Sequence, residues 1–175
     1  MHDQPLIVFA NVNFKSHRQR MQHIYSRLGK EYPAVYYISS LTSPFGSQKE
    51  NVEGTIWEVH ISHSGKRIDQ LEERNYPLFM QNLREFLFSE KVLLEECTAF
   101  VDIPYWVRLF EEKPCKRLIF HCMDWASGFA DLASQDILGD EHKLLGMCDL
   151  AVFTAAELYK RHAKFAQKSI LLRNG

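Results

Sequence analysis

The sequence predicts an α/β fold: an open, mainly parallel sheet, doubly wound, with helices on both faces. Three observations predict it. Short apolar runs alternate with stretches of helical periodicity along the whole chain. The runs are continuous, as in strands covered on both sides. The first strand–helix–strand unit takes about 35 residues, the size of a right-handed crossover. Composition agrees with one domain of ordinary core size: 175 residues, 46% hydrophobic and 25% charged. These values exclude a disordered chain, a collagen-like repeat and a coiled coil. Lys and Arg number 21 against 22 Asp and Glu, a net charge of −1. A dedicated nucleic-acid binder would carry a strongly basic face instead.

The first strand is the run from Pro5 to Ala10. Ser16 and Gln19 form an S-x-x-Q capping box, and Met21, Ile24, Tyr25 and Leu28 then recur on one helical face. Gly29 is the expected stop. Ala34 to Ile38 is the second strand. Residues 42–54, rich in Ser, Gly, Asn and charge, read as loop. Thr55 to Ile61 is the third strand and Leu78 to Leu94 a long helix. Ala99 to Val101 is the fourth strand, and Pro104 opens a short helix through Phe110. Arg117 to Cys122 is the fifth strand, followed by helical material ending near Cys148. Leu150 to Phe153 is the sixth, Thr154 and Glu157 form a second capping box, and Ile170 to Leu172 is the last strand.

Met1 to Gln4 has no basic character, and no apolar run approaches the ~18 residues of a membrane span. Cys97, Cys115, Cys122 and Cys148 form no C-x-x-C, so buried reduced thiols and a cytoplasmic setting are expected. His60 and His63 form H-x-x-H, but on a strand such a pair points to opposite faces, so no metal is expected there.

In sheets of this kind, chemistry sits beyond the carboxyl ends of the strands. After the first strand, Lys15, His17, Arg18 and Arg20 gather around a helix start. They suit an anion bound at the free N–H groups, or a solvated basic turn. His121 and Asp124 follow the fifth strand, where they could serve as general bases, or as a core histidine and a helix cap. Asp102, Tyr105 and Trp106 form another strand-end cluster, whose aromatics could stack on a sugar or a base, or fill the core. No G-x-G-x-x-G or P-loop pattern is present.

The order of elements, with several local phrases, resembles the N-terminal, acceptor-side Rossmann-like domain of GT-B glycosyltransferases, near glycosyltransferase family 4. One bacterial branch opens its first helix with an R-P-Q-H-L-like phrase, matched by His17-Arg18-Gln19-Arg20-Met21-Gln22-His23. Its D-x-x-D-D-W-like phrase is matched by His121-Cys122-Met123-Asp124-Trp125, where His121 replaces the first acid and one of the doubled acids is missing. Then come Glu141, the strand from Cys148 to Val152, the helix start Thr154-Ala155-Ala156-Glu157, and Leu172-Arg173-Asn174-Gly175.

The resemblance covers nearly the whole chain and implies that residues 1–175 are the acceptor-side half of an enzyme. The donor-binding C-terminal domain, with its E-x7-E-type acidic motif, would lie outside them, and this half alone would be inactive. The implied reaction is transfer of a sugar from a nucleotide-sugar donor to an acceptor hydroxyl, with no cofactor or metal. Asp124 and His121 are the implied catalytic residues. Lys15, Arg18, Arg20, Trp106, Trp125 and Glu157 are the implied substrate-binding residues. Members of this kind act on lipid-linked or cell-envelope acceptors, which implies peripheral contact with the inner face of a bacterial membrane and no nucleic acid. The alternatives are a non-catalytic α/β ligand-binding or regulatory module and a flavodoxin-like FMN protein, the latter yellow when purified.

Overall fold

A computed structural model describes residues 3–16, 20–111, 114–124 and 137–173. Its eight strands are β1 (Leu6–Phe9), β2 (Val35–Ile38), β3 (Gln48–Glu53), β4 (Ile56–His60), β5 (Thr98–Val101), β6 (Arg117–Cys122), β7 (Leu150–Phe153) and β8 (Ser169–Leu171). They form one sheet in the order β3-β4-β2-β1-β5-β6-β7-β8. Every neighbouring pair is parallel except β3 with β4. The helices are α1 (Arg20–Leu28), α2 (Tyr76–Ser89), α3 (Ile137–Met147) and α4 (Ala156–His162), with a 3₁₀ segment over Pro104–Phe110. No described helix is long and apolar enough to cross a membrane.

The apolar runs behave as expected. Leu6 to Ala10 and Val35 to Ile38 are buried along their whole length, because side chains on both faces meet helices. On one face α1 packs Met21 and Tyr25 against Leu6, Val8, Val35 and Tyr37. On the other, a larger core gathers Phe79, Leu83, Trp106, Phe110, Leu144 and Leu145 against Ile7, Phe9, Ala99 and Phe120. Phe9 meets Trp106 and Phe110 edge-on at 5.2 and 4.9 Å between ring centres. Gly29 ends α1, its N–H bonding to the Tyr25 carbonyl at 2.8 Å. A Cβ there would stand 3.0 Å from Thr55 Oγ1 and 3.2 Å from that carbonyl, so small size is required as well as a stop.

The expectations need three corrections. Residues 48–53 are strand, not loop: β3 is an exposed edge that returns along β4 through Gly54, whose φ is +53°. Its sequence carries no apolar face because only one side of the strand is paired and little of it is buried. The long helix ends at Ser89, earlier than Leu94. Lys91 takes φ +60° and Val92 N–H reaches back to the Leu87 carbonyl at 2.9 Å, so a lysine fills the left-handed position usually given to glycine. The expected capping box of Ser16 with Gln19 is not among these, because Gln19 lies outside the described residues; the Ser16 hydroxyl donates to the Asn13 carbonyl. Thr154 does not cap α4: its hydroxyl bonds the Met123 carbonyl at 2.7 Å, and the capping position is Ala155.

Candidate functional site

The sheet order puts a topological switch point between β1 and β5. From β1 the chain moves to β2 on one side, while β5 takes the other edge. A crevice beyond the strand ends is expected there. Asp102 stands at this point, the first residue after β5, with its N–H on the Phe9 carbonyl at 3.0 Å. The β5–β6 register pairs Val101 with Phe120, so His121 comes up beside Asp102.

The two side chains meet. His121 Nδ1 lies 3.2 Å from Asp102 Oδ1, and both side chains are almost wholly enclosed, 2% and 0% exposed. The Tyr25 hydroxyl, reaching from α1, donates to the same oxygen at 2.5 Å. Burial, and then the Asp102 charge, push the Tyr25 phenol well above its ordinary range, so it stays a donor. Asp102 Oδ2 and His121 Nε2 are buried with no hydrogen-bond partner. Leaving a buried polar atom unpaired costs about 1–3 kcal/mol, and native proteins keep few such atoms without a use for them.

A polar group from three loops borders the same strand ends. Asn11 Oδ1 accepts from the Tyr105 hydroxyl at 3.1 Å, and the Asn11 carbonyl accepts from Ser40 Oγ at 2.8 Å. Arg67 pairs with Asp69 at 3.0 Å and extends toward Asn11 and Tyr105. Asn13 Oδ1 accepts from Ser39 Oγ at 2.9 Å. Buried Glu58, from β4, accepts the Phe14 N–H at 2.9 Å and holds the loop after β1 in place.

The residues singled out from the sequence fall into three groups. His121 is in the crevice, and Asp124 lies exposed two residues past the end of β6. Because β5 separates β6 from β1, the carboxylate beside the first strand is Asp102 rather than Asp124. Arg18 and Trp125 lie outside the described residues. The rest are engaged elsewhere. Trp106 is a correction: it has no exposure, donates Nε1–H to the Ala10 carbonyl at 3.1 Å and packs on Phe9 and Phe79, so it fills the core instead of lining a cleft. Lys15 is paired with Glu50 at 2.5 Å, Arg20 donates to the Leu172 carbonyl at 2.6 Å, and Glu157 is paired with Arg161 at 2.9 Å. Sequence reasoning noted Asp102 only within a cluster and passed over Tyr25. A carboxylate one residue past a buried strand was the available signal for the first. Nothing local marks a tyrosine on the core face of an amphipathic helix.

A cleft of about 600 Å³ on the other face, between α2, the 3₁₀ segment and α3, is bordered by Tyr76, Arg84, Arg108, Asp140 and Lys143. Lys143 there is already paired with Glu111 at 2.6 Å. The unpartnered buried atoms at the switch point make the stronger candidate site.

No family model and no curated protein matches this sequence. Solved structures do match. Sucrose-phosphate synthase from Thermosynechococcus elongatus superposes with a TM-score of 0.68 over 98% of this chain, at 12% identity. The chain spans 48% of that synthase, about half its length. A second structure of the same synthase matches with a TM-score of 0.61 and 12% identity over 98% of this chain and 90% of that one. A UDP-forming α,α-trehalose-phosphate synthase from Burkholderia xenovorans, in complex with glucose 6-phosphate, matches with a TM-score of 0.52 and 16% identity over 88% of this chain and 41% of that one. At such identities the likeness is one of fold: an eight-stranded, mainly parallel α/β sheet of the kind that forms one Rossmann-like half of a GT-B glycosyltransferase.

Proposed function

We propose that these residues form the acceptor-side half of a glycosyltransferase, which moves a sugar from a nucleotide-activated donor to an acceptor hydroxyl. The observation that carries the reading is the superposition of nearly the whole chain on less than half of a sugar-phosphate-forming synthase. In this reading the nucleotide-sugar is held by a second domain, and the enzyme stands near glycosyltransferase family 4 on the strength of the phrases around His17–His23 and His121–Trp125. The acceptor belongs to cell-envelope polysaccharide or glycolipid synthesis at a membrane surface.

The strand-end chemistry supports it. A sugar presents several hydroxyls, each able to donate, and Asp102 Oδ2 and His121 Nε2 are two adjacent groups without partners. Neither atom is exposed, so a ligand meets them only after the strand-end loops part. Asp124, exposed at the same end of the sheet, is the carboxylate proposed to orient or deprotonate the acceptor. Holding donor carbon and acceptor oxygen together can supply ~7–11 kcal/mol of a barrier, so this half alone is expected to transfer no sugar.

Calorimetric titration of residues 1–175 tests the reading. Glucose 6-phosphate should bind, and nucleoside-diphosphate sugars should bind weakly or not at all. Micromolar binding of a nucleotide-sugar, or turnover by this chain, would overturn it.

A further inference from the structure

We infer that Tyr25 is a positioning residue that locks the Asp102–His121 pair as a two-acceptor site, so that the pair receives the hydroxyl end of a sugar ligand and turns away its anionic end. The inference rests on the sugar-binding reading above. Tyr25 is fully buried, its ring edge-on to Tyr37 and Phe100 at 5.9 Å each, so its hydroxyl has little freedom. That hydroxyl and His121 Nδ1 converge on one oxygen, Asp102 Oδ1. A carboxylate oxygen accepts, so the imidazole proton sits on Nδ1, and in the neutral ring Nε2 carries the lone pair.

Turning the carboxylate so that no oxygen lies between the phenol and the imidazole would strand a buried donor. Tyr25 therefore holds one oxygen on the histidine side and leaves the other over. The two atoms left over, Oδ2 and Nε2, have no partner, and with the ring in its Nδ1–H form both accept. A hydroxyl can donate to either. A phosphate or carboxylate brings acceptors alone and meets lone pair against lone pair. A sugar phosphate held here must point its hydroxyls at the pair and its phosphate away, toward the loops that carry Arg67 and Asn11.

The test uses the full chain with 15N-labelled histidine. Long-range 15N–1H spectra read the His121 tautomer without any ligand: the Nδ1–H form is expected, and the Nε2–H form would overturn the lock. Glucose 6-phosphate should shift the His121 signals, and inorganic phosphate at the same concentration should leave them unmoved. A response to inorganic phosphate would overturn the hydroxyl-end assignment.

Tyr25→Phe and Asp102→Asn should each weaken glucose 6-phosphate binding about tenfold or more, with the double variant no weaker than Asp102→Asn, because Tyr25 acts through that carboxylate. Additive losses would make Tyr25 a mere packing residue. Should Asp102→Asn fail to fold, Tyr25→Phe decides alone: a second His121 tautomer is expected, and an unchanged spectrum overturns the inference. If glucose 6-phosphate leaves His121 unmoved in the parent chain, the sugar reading falls and the ligand assignment with it. The tautomer still reports on the lock itself.

Discussion

His121 and Cys122 are neighbours at the end of β6, yet their side chains leave on opposite faces of the sheet and each meets a buried acid. His121 meets Asp102 beneath α1, where the Tyr25 hydroxyl shares the same carboxylate oxygen. Cys122 meets Glu141 of α3, its thiol donating to Oε1 at 3.4 Å. Both acids keep one oxygen unpartnered. The difference lies in the donors. A phenol and an imidazole N–H are strong donors in close geometry; a thiol is a weak one. Burial pushes the Glu141 carboxyl up, and the thiol bond offsets this only in part. Burial and the neighbouring acid push the Cys122 thiol up too, so it stays protonated. Two acids of similar enclosure are therefore different objects: one is clamped by strong donors at the switch point, the other, on α3, is held by a weak donor, with its carboxyl pushed up by burial.

Three substitutions break or sharpen this contrast. The largest effect is expected from Asp102→Ala, which strands the Tyr25 hydroxyl and His121 Nδ1 in the core. Each buried donor left unpaired costs about 1–3 kcal/mol, so urea unfolding should show a loss of about 2–6 kcal/mol. A loss below ~1 kcal/mol would mean the network adds nothing to the fold.

Tyr25→Phe keeps the ring and deletes one donor. It should cost about 1–2 kcal/mol in the same assay, the scale of one buried hydrogen bond.

Glu141→Gln should cost least, within ~1 kcal/mol at neutral pH, because the amide keeps the shape of the side chain and an oxygen to accept from the Cys122 thiol. Its signature is in the pH dependence. A carboxyl whose folded value is raised binds its proton more tightly in the native state. Its contribution is full below the unfolded value of ~4.3 and is lost as pH rises through the folded one. The parent chain should therefore gain stability over Glu141→Gln as pH falls from 7 toward 4.5. Parallel stability curves for the two proteins would show that Glu141 is ionised in the fold.

The contrast also marks how far the sequence could be read. That His121 and Cys122 point to opposite faces follows from strand periodicity alone. That each finds an acid does not, because Asp102 and Glu141 lie 19 residues away in opposite directions along the chain. Lys15, His17, Arg18 and Arg20 read from the sequence as an anion site or a solvated basic turn; His17 and Arg18 lie outside the described residues, and the other two meet protein groups. Glu50, from an edge strand with no apolar signature, pairs with Lys15, and the Leu172 carbonyl takes Arg20.

By itself the sequence determined the fold class and seven of the eight strands, because uninterrupted apolar runs can be satisfied only between two helical layers. It also determined the stop at Gly29 and four buried cysteines that form no disulfide. Only the tertiary structure decided that β5, not β2, shares the switch point with β1 on its open side, which brings Asp102 rather than Asp124 to the end of the first strand. Only the tertiary structure decided that Trp106 closes the core while Tyr25 reaches through it to a carboxylate. The physical reason is that local periodicity fixes which face a side chain takes, while its partner on that face is set by strand order, and strand order is carried by contacts that no short stretch of sequence contains.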